Sequence, residues 1–471
     1  MAAITKSDDS IQVGRDESVP DFLRLEQIPV NYIQQVETDL LEPVVFTQGT
    51  ATSKGFARFT LQNKGFLHSH SKLFMSVQAN ATMTEAFFQP QLGIGQIIQK
   101  AVLKIGNKTL NELDSWDGLF QIKSALITNE NNKEREQFMT GRVMNMGYYY
   151  DESSDVLASD YGLDNGMESV SRQELQQPTW AEMRGAKPAE SPTYMVDLSD
   201  LFPFLKVHQL PLYMIDEPIN IEITFKDGGA TGGRVQGVAG DPGLGALATI
   251  DRDELKFCAD YIFYGATDEM ARFAAANKDM SFSFVDYRVN EQSLAATSVS
   301  NGLVRNLGMA NRLVSRILTT LPATGQADDE GIINGDSALL CPDQTDGQTA
   351  EFKYNIRYND RFEYTTDVSN VARVMSEFTR SEGIPFVARP IYSGEGATAL
   401  TDVKYQGYDQ DDELGGTDFI LGTRLSNGRV GQRGVELHLS GDFDEPELLR
   451  VYCEYLRVAR LTDGMFEVYN A

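Results

Sequence analysis

The sequence predicts an all-β chain built as two consecutive β domains. Period-two alternation of apolar and polar residues recurs in both halves. Twenty-five Phe and 19 Tyr against two Trp suit β-rich cores, and 40 Gly with 16 Pro supply many turns. At 471 residues the chain exceeds one ordinary core. A glycine-rich stretch without aromatics, 229–252, divides it.

Residues 1–20 are polar, charged and without period, and are expected to form a mobile arm. The first domain is expected over 21–228. Leu73, Met75, Val77 and Ala79 alternate with polar or outward residues, as do Ala101, Leu103 and Ile105. Leu113, Trp116, Phe120 and Ile127 recur near helical spacing and predict a helix over about 111–129. Ile219, Ile221, Ile223 and Phe225 mark a one-sided strand.

Glycine over 229–252 permits an irregular path and offers no side chains for a core, so this segment reads as a linker. The second domain is expected over 253–471. Its first strand places Leu255, Phe257, Ala259, Tyr261 and Phe263 on one face. Thr267 then begins a short helix, with Asp268 and Glu269 in the turn where carboxylates suit the helix dipole. Phe282 and Phe284 resume the strand period. Phe257, Tyr261, Phe263, Phe352, Ile356, Val451 and Cys453 are expected in the second core. A helix over about 367–380 carries Val368, Val371, Ala372, Met375 and Phe378, with Gly383 and Pro385 beyond it as stop signals. Strand, helix and long insertion occur once in each half, a faint internal duplication.

The segments ADYIFYGATDEMARFA (259–274), VDYRVNEQ (285–292), DLSDLFPFLKVHQLPLYMIDEPINIEITF (197–225) and LLRVYCEYLRVARLTDGMFEVYNA (448–471) carry a family resemblance. In this order they resemble double jelly-roll major capsid proteins of virophages, polinton-like viruses and large eukaryotic DNA viruses. The resemblance implies two consecutive eight-stranded antiparallel jelly-roll barrels with short helices and long loop insertions. It implies a homotrimer that forms a pseudo-hexagonal capsomer of an icosahedral shell. Its partners would be itself, neighbouring capsomers, and penton and minor capsid proteins. It implies a virion component made in host cytoplasm or nucleus, with no catalytic residue and no cofactor, and leaves contact with an internal membrane open. A tandem β-sandwich carbohydrate-binding protein or glycoside hydrolase is the alternative, since jelly rolls host both.

The net charge of −27 and the absence of a basic run oppose sequence-specific or wrapping contact with nucleic acid. Cys258, Cys341 and Cys453 are too few and too far apart for a disulfide framework. No apolar core region follows Met1, so no secretion is expected, and no apolar run reaches membrane length. Gly243-Leu244-Gly245-Ala246-Leu247-Ala248 fits a dinucleotide fingerprint without the strand and helix that would give it meaning. His68 and His70 share a strand face without a third ligand, and Asp409, Asp411, Asp412 and Glu413 lack calcium-loop spacing, so no metal site is expected. The sequons at Asn80 and Asn107 are expected to be unmodified.

Insertions at 148–192, 323–350 and 391–416 are too long for tight turns. Those at 148–192 and 391–416 are expected on the outer crown of the assembly. Tyr148, Tyr149, Tyr150, Tyr405 and Tyr408 offer rigid apolar area with a polar tip and are the candidate subunit-contact residues, with packing inside their own loops as the alternative.

Overall fold

The computed structural model describes residues 33–50, 52–78, 92–127, 191–228, 248–264, 267–294, 302–320, 353–369, 371–382, 421–425, 429–440 and 447–470. Short pieces at 4–7, 10–13, 86–88, 138–141, 236–237, 390–392 and 403–405 complete the described residues.

Two β-sandwiches follow one another. In the first, one sheet runs in the order Lys108–Leu113, Ile98–Ile105, Ile219–Asp227, Lys54–Leu61 and Val45–Thr47. Alternation sets its inner face: Ile219, Ile221, Ile223 and Phe225 are buried opposite Ala57, Phe59 and Leu61. The facing sheet orders Tyr194–Asp197, Lys72–Met75, Lys256–Tyr264, Phe66–Leu67 and Leu210–Pro211, with Ile33–Leu41 along the other side of Lys256–Tyr264. Phe59 and Phe257, 5.9 Å apart between ring centroids, pack the two sheets together.

The boundary expected at 252/253 is therefore corrected. Lys256–Tyr264 is an interior strand of the first sandwich, paired with Ile33–Leu41, Phe66–Leu67 and Lys72–Met75. Phe257 and Tyr261 are fully buried there, not in the second core, and Phe263 is half-buried against the same cluster. The physical reason is that alternation fixes which side chains face inward but not which sheet receives them. The end of the linker follows suit, since Thr249–Ile250 pairs with Val77–Gln78. Within the expected arm, Ile4–Ser7 pairs with Ser10–Val13 as a hairpin.

The second sandwich has one sheet in the order Asp279–Leu294, Glu447–Thr462, Val314–Thr320 and Leu421–Arg424, with Met465–Asn470 also on Glu447–Thr462. The first two strands are 16 residues each and pair along their whole length. The opposing sheet runs Leu303–Gly308, Val435–Ser440, Lys353–Tyr358 and Arg361–Phe362. Ile356, Val451 and Cys453 are buried as expected, while Phe352 lies outside the described residues. Tyr354 and Thr423 close the sandwich with a 2.9 Å hydroxyl–hydroxyl hydrogen bond between the sheets.

The expected helices occur at Trp116–Ile127, Thr267–Ala276 and Val371–Glu382. The outer two start later than their apolar spacing suggests. Leu113 is held in a ladder with Ala101, and Val368 bridges Tyr354. No described helix is long and apolar enough to cross a membrane.

Candidate functional site

The two sandwiches meet along a seam that is partly aromatic and partly ionic. The aromatic part begins with Phe204, presented by the helix Pro203–Val207, whose Pro203 at the first turn sets φ for helix entry. Its ring lies 5.7 Å from Phe282 and 5.1 Å from Phe284, both edge-to-face. His208, just past the helix, places Nε2 2.7 Å from the Ser283 carbonyl oxygen. Phe282 also stacks on Phe466 of the terminal hairpin.

Beside these rings lies Asp286, 2% exposed. Arg457 Nη1 donates to its Oδ2 at 2.7 Å, and Asn111 Nδ2 and the Tyr287 amide donate to its Oδ1 at 3.1 and 3.0 Å. Asn111 Oδ1 in turn accepts the Phe204 amide at 3.1 Å. Arg457 Nη1 also donates to the Leu110 carbonyl at 3.0 Å, an edge-strand acceptor of the first sandwich. Burial pushes the Asp286 carboxyl above its usual range despite the guanidinium beside it.

A second ionic group lies at the start of the helix Trp116–Ile127. Asp117 is buried, 2.8 Å from Lys226 Nζ and 4.0 Å from Arg450 Nη1. These cations hold its carboxyl below the usual range in spite of the opposing effect of burial. Arg450 Nε donates to Glu291 at 2.9 Å, and Glu291 also accepts from Ser115 Oγ. Tyr452 donates its hydroxyl to the Ser115 carbonyl at 3.0 Å. Ser115, Asp117 and Lys226 belong to the first sandwich; Glu291, Arg450 and Tyr452 belong to the second. Paired and hydrogen-bonded in this way, the buried charges are compensated across the seam.

A third contact closes the far end. The Asp216 amide donates to the Gly464 carbonyl at 3.0 Å and the Phe466 amide to Glu217 Oε2 at 3.2 Å. These contacts hold the two bodies together. Among the described residues no group of three or more His, Cys, Asp or Glu is placed to hold a metal. His68 accepts the His70 amide at Nδ1, 3.0 Å away, and the two rings lie 5.2 Å apart.

Of the candidate contact residues, Tyr148, Tyr149, Tyr150 and Tyr408 lie outside the described residues. Tyr405 ends the strand Val403–Tyr405, where it pairs with Pro390. The aromatic seam residues Phe282 and Phe284 follow from strand alternation, whereas the charged ones are not singled out by it although they share its phase: Asp286 continues that of Phe282 and Phe284, and Arg457 that of Val451, Cys453 and Tyr455.

At the level of sequence, no family model matches the chain and no curated protein is similar to it. In structure, the chain is similar to a subunit of the PBCV-1 virus capsid, with 12% identity and a TM-score of 0.54, over 93% of this chain and 97% of that one. It is also similar to a chain of the Sputnik virophage, with 9% identity and a TM-score of 0.53, over 100% of this chain and 93% of that one. PBCV-1 VP54, as fitted into a reconstruction of Sputnik, gives 12% identity and a TM-score of 0.52, over 93% and 97%. The chain is thus a double jelly-roll protein, with the fold of viral capsid subunits.

Proposed function

We propose that the chain is a major capsid protein, a subunit of homotrimeric, pseudo-hexagonal capsomers in an icosahedral shell. The observation that carries this is the pairing of two similar but unequal sandwiches, locked by a buried seam, in a fold shared over nearly the whole chain with a virus capsid subunit. Three such chains offer six wedges around one axis, which approximates six-fold symmetry. The working parts are then surfaces, and no catalytic residue is called for. The partners are further copies of the chain and the penton and minor proteins of the shell, and the place of action is the virion. The insertions at 148–192 and 391–416, with Tyr148, Tyr149, Tyr150, Tyr405 and Tyr408, are assigned to the outer crown and its subunit contacts.

The carbohydrate reading finds little to build on. Trp116 is buried and donates Nε1 to the Asp200 carbonyl at 3.0 Å, which removes one of two tryptophans as a sugar platform. Solution mass and negative-stain images of the purified chain test the proposal. A trimer with a hexagonal outline is expected. A monomer at every concentration, with hydrolase activity or glycan binding, would replace the capsid reading.

A further inference from the structure

At one end of the second sandwich, three loops are tied into a knot. The Val430 amide donates to the Arg312 carbonyl at 3.0 Å, Asn359 Nδ2 to the Arg429 carbonyl at 2.8 Å, and the Gly431 amide to Asn359 Oδ1 at 2.6 Å. Asn306 Nδ2 reaches the Arg433 carbonyl, and Arg433 pairs with Asp360. Gly434, at φ +78°, approaches Gly308 so closely that a Cβ would lie 2.2 Å from its carbonyl oxygen.

The knot concentrates strained backbone. Six non-glycine residues among those described take a left-handed conformation, and four of them are Met309, Asn311, Asn359 and Asp360. Asn and Asp accept this conformation more readily than Met309 does, and all four are held in it by the surrounding structure, a pattern common at functional surfaces. The loops are therefore preformed, and binding through them would lose little conformational freedom.

The exposed chemistry of the knot is also distinctive. Arg361, Arg429 and Arg433 are exposed, as are Leu313 and Phe362. These loops contain no lysine. Arginine and aromatic side chains without lysine are the composition of protein–protein contacts rather than of solvated surface. The setting matters as well, because the whole chain carries −27. Copies with that charge repel one another, so local patches of the opposite sign favour the contacts that hold them together.

Building on the capsid reading, we infer that this knot, comprising 308–313, 359–362 and 429–434, docks onto an acidic surface of a second copy of the chain. Arg361, Arg429 and Arg433 supply the charge, and Leu313 and Phe362 supply the desolvated contact.

The test is R429E/R433E in the full chain, with self-association followed by sedimentation velocity and light scattering from low to high salt. Salt screens both the overall repulsion between copies and the local attraction at the contact, so wild type is followed at each salt concentration as the reference. The double variant should associate at least about tenfold more weakly at low salt, with a reduced salt dependence. R429Q serves if the double variant folds poorly, and should give a smaller loss in the same direction. Unchanged association with an unchanged melting temperature would overturn the inference. So would unchanged association combined with lost binding to duplex DNA or to phosphatidylserine vesicles, which would make the knot a polyanion site. Wild type that stays monomeric throughout would instead overturn the capsid reading itself, which separates the two failures.

Discussion

Arg457 and Asp286 form a 2.7 Å ion pair at the place where the second sandwich caps an edge strand of the first. Asp286 also faces Tyr455 across the ladder, and the guanidinium of Arg457 lies 5.9 Å from the ring centre of Phe284. The pair thus connects sheet register, aromatic packing and the union of the two bodies.

Removing one partner should cost more than removing both. Arg457→Ala leaves a buried carboxylate without its cation, a change worth about 3–5 kcal/mol in comparable sites. Arg457→Met combined with Asp286→Leu should recover much of that loss. Denaturant midpoints of the three proteins check this. A single variant as stable as wild type would show that the pair contributes nothing to the seam.

Phe257→Ala should destabilise the first sandwich, by about 3–5 kcal/mol for a buried Phe. Hydrogen exchange should accelerate in Lys54–Leu61 and Ile33–Leu41, its sheet-packing and ladder neighbours. Acceleration confined to Val435–Ser440 would return the strand to the second core.

That prediction marks what the sequence could and could not say. Phe257, Ala259 and Tyr261 were legible as one buried face because alternation is a local property. Their partners were not, because pairing with residues some 200 positions away leaves no local trace. The seam was half legible. Charges at 286 and 457 stand in apolar phases of neighbouring strands, which is visible in sequence only once those strands are known to pair. Asp117 and Arg450 meet purely through tertiary placement.

Acid should loosen the molecule through Asp117 and Glu454. Cations beside both carboxyls hold them below their usual range. A depressed folded-state pKa gives stability that is fully present above the unfolded value, about 4, and is lost as pH falls through the folded one. Asp286, shifted upward, has the opposite sign: its contribution is fully present below about 4 and is lost as pH rises through its folded value. Protonating Asp117 and Glu454 should therefore lower the melting temperature below about pH 4, with Asp286 opposing the fall. Asp117→Asn should lower stability at pH 7 and flatten the acid limb. An acid limb of unchanged steepness would remove Asp117 from the account.

Gly464→Ala should undock the terminal hairpin while leaving both sandwiches folded. Gly464 sits at φ +80°, where an L side chain costs roughly 1–2 kcal/mol. A Cβ there would also lie 2.2 Å from Asp216 Oδ2, so the Asp216 carboxylate must swing away, and the loop that carries it shifts where the side chain has no room to turn. The Asp216 amide to Gly464 carbonyl bond and the Phe466 amide to Glu217 bond are lost together if it does. Phe466 then withdraws from Phe282, and the seam loses its aromatic end. Hydrogen exchange should rise over Met465–Asn470 and over the paired residues Arg457–Thr462, with little change in Ile219–Asp227. Exchange equal to wild type over 465–470 would show that the hairpin is held by its ladder alone and that its contact with the first sandwich is incidental.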